Sequence, residues 1–305
     1  MACRPLESTN VPAPEPAAPT IEETQTDVEF EGELVRFGVL AIDSAVSANE
    51  RYRPLLDYLE AEIGRPFELV PLSQASQFSE VEAGSLDFTT NNPLAAVQIR
   101  RLYSTNFLVT HTRPQTGPEF SGLIVVRADS DIQTLADLQG KRVACVNFQT
   151  AAAGCVFQIY HLLQAGIDPE TEFASFVENP SQDSIVLGVL NNTLDAGFIR
   201  TGQLEKMVDK DLIQSQDTLR ILEPMDDNFP FTHTTALYPE WPIAALPETD
   251  PELVTQVREA LLKLPPDHSA LKPAKVAGFV PSTDYAELDN LIETLKLKSW
   301  DMPQE

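Results

Sequence analysis

Leu34-Val35-Arg36-Phe37-Gly38-Val39-Leu40 reads as a strand, and the alternation of elements that begins with it sets the fold class. A loop over Ala41–Asn49 leads into a helical pattern over Arg51–Ile63, with Tyr52, Leu55, Leu56, Leu59 and Ile63 on one face. Gly64 and Pro66 punctuate the chain before a second strand, Phe67–Leu72. Ser76–Ala83 is helical, and Leu86-Asp87-Phe88-Thr89 is a short strand ending in Thr90-Asn91-Asn92-Pro93. Pro93 lacks an N–H and has its φ preset, so it suits the first turn of the helix that runs to Arg101. Phe107–His111 and Gly122–Arg127 are strand-like. Strand and helix alternating with short links predict an α/β sheet with parallel order.

The pattern then starts again. Asp129–Asp137 is a turn and short helix, Lys141–Val146 a strand, and Ala151–Ala165 a helix that Gly166 ends. Strands at Phe173–Val177, Asp195–Ile199 and Leu219–Leu222 alternate with helices at Ser181–Leu190 and Gly202–Val208. Past Leu222 the chain returns through Phe229-Pro230-Phe231 and Tyr238-Pro239-Glu240-Trp241-Pro242, and helices at Pro251–Leu264 and Tyr285–Leu297 close it. Two tandem units imply two lobes, each a mainly parallel sheet flanked by helices. Lobe 1 is expected over residues 34–126 and 223–305, and lobe 2 over 127–222.

At 305 residues the chain is long enough for two such domains, which run roughly 100–200 residues each. Lys+Arg 21 against Asp+Glu 46 leaves a formal charge of −25, which argues against binding nucleic acid or an anionic lipid surface. No run of about 18 apolar residues is present, so nothing in the sequence spans a membrane as a helix. Residues 1–33 carry prolines at 12, 14, 16 and 19 and an excess of Glu, and are expected to be an acidic tether. Cys3 near its start resembles the lipid-bearing first residue of a mature bacterial lipoprotein; the alternative is an ordinary flexible terminus. Cys145 and Cys155, ten apart, are either a disulfide or two buried thiols. No metal-ligand spacing, nucleophile elbow or Walker-type run occurs, so the sequence calls for no enzyme, metal or cofactor.

In α/β sheets, ligands sit beyond the carboxyl ends of strands, often against helix N-termini. That rule selects Ile42–Glu50 leading to Tyr52, then Thr90-Asn91-Asn92, Asn147–Gly154 with Thr150, Ser181-Gln182, and Arg200-Thr201. His233 joins them as a candidate on the return crossing. Each also has a purely structural alternative. Tyr52 can pack in the core; Asn92, Thr150 and Gln182 can cap helices; Arg200 can pair with a carboxylate; His233 and His111 can be satisfied interior histidines.

Phe37-Gly38-Val39-Leu40, Gly84-Ser85-Leu86-Asp87-Phe88, Asp137-Leu138-Gln139-Gly140-Lys141-Arg142-Val143-Ala144, and Gln182-Asp183 through Val189-Leu190-Asn191 to Asp195-Ala196-Gly197 occur in a telling order. With Leu163-Gln164-Ala165-Gly166-Ile167-Asp168-Pro169, they resemble the periplasmic solute-binding proteins of phosphate/phosphite/phosphonate ABC transporters and the related ligand-sensing domains of bacterial signalling proteins. Phe231-Thr232-His233-Thr234-Thr235 and Leu237-Tyr238-Pro239-Glu240-Trp241-Pro242 look closer to the sensing branch.

The resemblance implies a clamshell that closes on a small ligand between its lobes and, outside the cytoplasm, hands it to an ABC permease or reports it to a signalling partner. Tyr52 keeps the family's aromatic in the first helix. A Ser-Thr-Ser hydroxyl cluster is reduced to Thr150-Ala151-Ala152, Gln182 replaces a His, and Arg200 stands where an acidic or neutral polar residue is usual. Arg200 brings a planar permanent cation suited to a carboxylate or phosphonate. The expected ligand is therefore a small anion of phosphonate, phosphite, phosphate or carboxylate type.

Overall fold

The computed structural model describes residues 32–42 and 44–297. Cys3 and all of the expected tether except Gly32 and Glu33 lie outside the described residues. Two sheets organise the rest. The first contains β1 (Val35–Leu40), β2 (Phe67–Leu72), β3 (Phe88–Thr90) and β4 (Asn106–Thr112). After a short β5 (Glu119–Phe120), the second sheet takes β6 (Gly122–Arg127), β7 (Arg142–Cys145), β8 (Ser175–Glu178), β9 (Ala196–Arg200) and β10 (Leu219–Ile221). The chain then returns through β11 (Tyr238–Pro239), which pairs with β5, and adds β12 (Pro242–Ala245) and β13 (Gly278–Pro281) to the first sheet.

The strand orders are β13-β4-β12-β3-β1-β2 and β10-β6-β9-β7-β8. Parallel pairing is confined to β2-β1-β3 and to β9-β7-β8. The strands next to each crossing run antiparallel, so both sheets are mixed rather than mainly parallel. The cause is connectivity: a strand entering from the other lobe arrives without a helical crossover to set it parallel. The lobe division also shifts. Gly122–Arg127, expected to close lobe 1, lies in the second sheet with Gly122 opposite Arg200. Residues 223–235 stay with it, because Thr234 N donates to the Gly122 carbonyl (2.9 Å) and Thr234 Oγ1 to Leu222 (2.9 Å).

Local chemistry sets the elements that carry the seam. The first helix is Ala45–Ile63, six residues longer at its start than its apolar face predicts, because Ser44 Oγ accepts from Ser47 N and caps it. That places Arg51 and Tyr52 in its second turn. Asn92 caps Pro93–Tyr103, its Oδ1 accepting from Ala95 N (3.1 Å) with Pro93 at the first helical position. The helix expected over Ala151–Ala165 begins as a wide π-turn, Ala152–Val156, before the regular Phe157–Gln164. Buried Gln158 donates from Nε2 to the carbonyls of Ala153 (2.7 Å), Ile199 (2.9 Å) and Leu123 (3.1 Å), tying that turn to β6 and β9. A Cβ at position 122 would collide with this amide, so Gly122 lets it pass. Cys145 and Cys155 are bridged, with Cα atoms 5.0 Å apart, across the mouth of the 146–154 loop.

One hydrophobic cluster spans both lobes, from Leu94 and Ala95 in one to Phe157 and Phe198 in the other. Phe157 stacks on Tyr238 at 3.8 Å between centroids, so the lobes meet closely along that side. Among the described residues no helix is long and apolar enough to cross a membrane.

Candidate functional site

β4, β9 and the turn between β11 and β12 end at one place on the seam, and charged side chains converge there. Glu240, between two prolines and two aromatics in the sequence, has a side chain with no exposed surface. Its backbone is fixed from both sides: the N–H donates to Pro118 (2.7 Å), and the carbonyl accepts from Tyr285 Oη (2.8 Å). Glu240 Oε2 accepts from Arg113 Nη2 at 3.1 Å and from Trp241 N at 3.3 Å. Glu240 Oε1 has no hydrogen bond, and Arg200 Nη2 from the opposite lobe stands 3.6 Å away. Burial pushes the Glu240 carboxyl up, but Arg113 and Arg200 outweigh it and hold the group ionised, below the ordinary carboxylate range.

Arg200 is the informative partner. Its guanidinium lies over the Phe120 ring, 5.6 Å from the centroid, and its side chain keeps 34% exposure. Burial lowers its pKa, and Arg113 and Arg51 lower it further, against the single opposing pull of Glu240. Arg113 and Arg200, at 3.1 Å and 3.6 Å, bring two guanidinium charges to the one carboxylate of Glu240. In a chain of net −25, such a spot stabilises an incoming anion.

Lobe 1 supplies the remaining groups. Arg113, just beyond β4, donates from Nη1 to the carbonyls of Lys275 (3.2 Å) and Ala274 (3.3 Å), while its Nε has no partner. His111 is fully buried, and its Nδ1–H donates to the Trp241 carbonyl (2.6 Å), which leaves Nε2 an unpartnered acceptor. Burial, then the Arg113 charge, depress its pKa to about 3, so the ring is neutral at ordinary pH. Tyr52 meets His111 edge-on at 6.3 Å, with the Arg51 guanidinium 5.7 Å from its own ring centroid. Neither Tyr52 Oη nor Arg51 Nε finds a hydrogen-bond partner among the described residues. An unpaired buried hydroxyl costs about 1–3 kcal/mol, a cost that a bound acceptor would remove.

Of the candidates drawn from sequence, Tyr52 and Arg200 lie in this constellation. Each of the others has a side-chain polar atom engaged within the protein. Thr90 Oγ1 donates to Pro242 (2.9 Å); Asn91 Nδ2 donates to Gln77 Oε1 (2.9 Å), and its Oδ1 accepts from Thr89 Oγ1 (2.7 Å). Asn92, besides capping, donates from Nδ2 across the seam to the Thr150 carbonyl (3.1 Å). Asn147 Oδ1 accepts from Thr150 Oγ1 (2.8 Å) and from the N–H groups of Thr150 (2.9 Å) and Gln149 (3.0 Å). Gln182 Oε1 accepts from Arg200 N (2.9 Å), and Thr201 Oγ1 from Ser121 N (3.2 Å). His233 is held between the Thr235 carbonyl (2.7 Å) and Asp227 (3.0 Å).

Sequence reasoning missed Arg51, Arg113 and Glu240 and set His111 aside. A signal was present: His111 and Arg113, two apart at the end of an apolar strand, point to one face.

Two α/β lobes meeting over this seam have the arrangement of a clamshell binding protein. Residues 37–286 match the family model described as "ABC transporter, phosphonate, periplasmic substrate-binding protein", and the chain belongs to that family. Among solved structures, XAC2383 from Xanthomonas citri, bound to ATP, superposes with a TM-score of 0.71 at 20% identity, covering 89% of this chain and 100% of its own. PhnD1 from Prochlorococcus marinus, in complex with methylphosphonate, gives 0.68 at 14% identity over 87% of this chain and 98% of its own. These likenesses are of fold. In sequence, the tetrathionate sensor histidine kinase TtrS of Salmonella typhimurium is 28% identical over 233 residues, 75% of this chain. The chain spans about two fifths of that curated relative's length, 39%.

Proposed function

We propose that the protein captures a small oxyanion in the seam between its lobes and delivers it to an ABC importer on the extracytoplasmic side of the membrane. The observation that carries this reading is the meeting of Arg113 and Arg200, from opposite lobes, at the buried Glu240 carboxylate, 3.1 Å and 3.6 Å away. Phosphonate, phosphite, phosphate and carboxylate are the ligand types that such guanidinium groups suit. In this reading the lobes are residues 34–120 with 236–297, and 121–235, hinged where the chain crosses near Phe120 and Thr235. Ligand contacts from both sides would stabilise the closed form. The Cys3 thiol would carry the lipid that tethers the protein to the membrane; mass spectrometry of the protein isolated from its native host would detect the acyl chains.

The test of function is a thermal-shift panel of phosphate, phosphite, methylphosphonate, sulfate, thiosulfate, tetrathionate and small carboxylates. A ligand at a hundred times its Kd adds about 2.7 kcal/mol of stability, a readily measured rise. If none of these anions shifts the melting point, the anion reading falls.

A second reading, a sensory module that reports occupancy to a signalling partner, is favoured by the match to the sensor kinase. Co-purification from the native host would separate the two, with a permease and ATPase on one side and a kinase or response regulator on the other.

A further inference from the structure

Asn92 stands where the two lobes touch, and each end of its side-chain amide is engaged inside the protein. Its Oδ1 accepts from Ala95 N (3.1 Å), which caps the helix Pro93–Tyr103 and fixes the amide on lobe 1. Its Nδ2 donates across the seam to the Thr150 carbonyl (3.1 Å). That acceptor is held as firmly on lobe 2. Asn147 Oδ1 takes the Thr150 N–H (2.9 Å) and hydroxyl (2.8 Å), and the Cys145–Cys155 bridge closes the loop that carries both residues. Asn92 keeps only 8% of its surface exposed and Thr150 only 7%, so their bond is shielded from water. A donor and an acceptor that are each fixed by their own lobe lose little freedom when they meet. By contrast, the approach of Arg200 to Glu240 across the same seam, at 3.6 Å, is longer than a hydrogen bond and lies in the constellation proposed for the ligand.

We infer that Asn92 is a latch: its bond to Thr150 holds the lobes together independently of any ligand, so that the resting protein already populates the closed form. Both partners belong to the protein, and the bond is the same whichever molecule the seam receives. The inference therefore goes beyond the anion reading and stands or falls apart from it. A ligand enters through the open fraction, so the latch governs the rate of entry more than the affinity.

The experiment is single-molecule energy transfer on the whole protein without added ligand. The dyes are carried by unnatural residues at exposed Glu62 on lobe 1 and exposed Asp209 on lobe 2, which spares Cys3 and the disulfide. The parent protein is expected to show a closed population. Asn92→Ser keeps a good helix cap, but its side chain is too short to cross the seam. Loss of one hydrogen bond should raise the ratio of open to closed molecules about two- to tenfold. Asn92→Asp also keeps the cap and sets a carboxylate oxygen against the Thr150 carbonyl, two acceptors with no proton between them, so the ratio should rise further.

A parent protein with no closed population would overturn the inference, and so would variants that leave the ratio of open to closed molecules unchanged. Neither result touches the anion reading, which the thermal-shift panel tests separately. Should the Asn92 variants fail to fold, Asn147→Ala reaches the same bond from the other lobe. It releases the Thr150 carbonyl from its support and should raise the ratio in the same direction; an unchanged ratio there overturns the latch.

Discussion

The two lobes present opposite chemistry to the seam. On the lobe 1 side, donors and acceptors are left over: Tyr52 Oη, Arg51 Nε, Arg113 Nε and His111 Nε2 have no hydrogen-bond partner among the described residues. On the lobe 2 side, the 146–154 loop consumes its own. Asn147 Oδ1 accepts from three donors of its own loop, Gln182 accepts from the Arg200 backbone, and a disulfide closes the loop's mouth. Unsatisfied buried groups are costly and rare, so a cluster of them on one side marks where binding energy remains to be gained. Under the proposed function, this contrast gives lobe 1 the grip and lobe 2 the cover, with Arg200 as the cover's contribution.

Breaking the lobe 1 side should have the largest effect. Glu240→Ala leaves Arg113 buried without its carboxylate, and removing one partner of a buried pair costs about 3–5 kcal/mol. A loss of that size in denaturant unfolding is expected; a loss below about 1 kcal/mol would mean that the pair is solvated and the grip loose. Next comes acid. His111 is protonated in the unfolded chain below about pH 6.5, whereas in the fold it resists protonation until about pH 3. Its contribution is therefore intact above pH 6.5 and is lost as pH falls through that window, by on the order of a few kcal/mol. His111→Gln, which can still donate to Trp241, should flatten that part of the stability–pH curve relative to the parent protein.

The same contrast explains what the sequence disclosed. The units β1 to β3 and β7 to β9 were legible because each strand is a dense apolar run between turn residues, and Pro93 and Gly166 announce helix ends locally. β12 was not: Pro242-Ile243-Ala244-Ala245 has one β-branched residue and opens on proline, yet it lies between β3 and β4 at the centre of the sheet. Proline is tolerated there as the first residue of the strand, and Thr90 Oγ1 hydrogen-bonds its carbonyl. The site divides likewise. Tyr52 and Arg200 could be placed by the strand-end rule, since Arg200 ends β9 and Tyr52 lies in the helix that follows β1. Arg113 and Glu240 are 127 residues apart and acquire meaning only when β12 slots beside β4, a tertiary event with no local signature.

Lobe 2 should respond in a smaller and different way. Cys145→Ser with Cys155→Ser opens a ten-residue loop, and the lost constraint is about 2–3 kcal/mol. Because Asn147 Oδ1 already holds the N–H groups of Gln149 and Thr150 and the Thr150 hydroxyl, the expected outcome is a lower melting point with anion affinity reduced only a fewfold. A hundredfold loss of affinity would move the grip to the 146–154 loop and reverse the assignment of the two lobes.

Tyr52→Phe is the mildest change and the sharpest test of the grip. The hydroxyl is buried, with the residue 2% exposed, and it is unpartnered, so deleting it removes a desolvation cost and no contact within the protein. Stability should stay within about 0.5 kcal/mol of the parent or rise slightly. Affinity should move the other way. A hydroxyl donating to an anion is worth about 1.5–3 kcal/mol, so the variant should bind at least about tenfold more weakly. Stability unchanged with affinity lost is the signature of a group kept for the ligand. Stability lost with affinity unchanged would make Tyr52 a core residue, and the grip would then rest on the guanidinium groups alone.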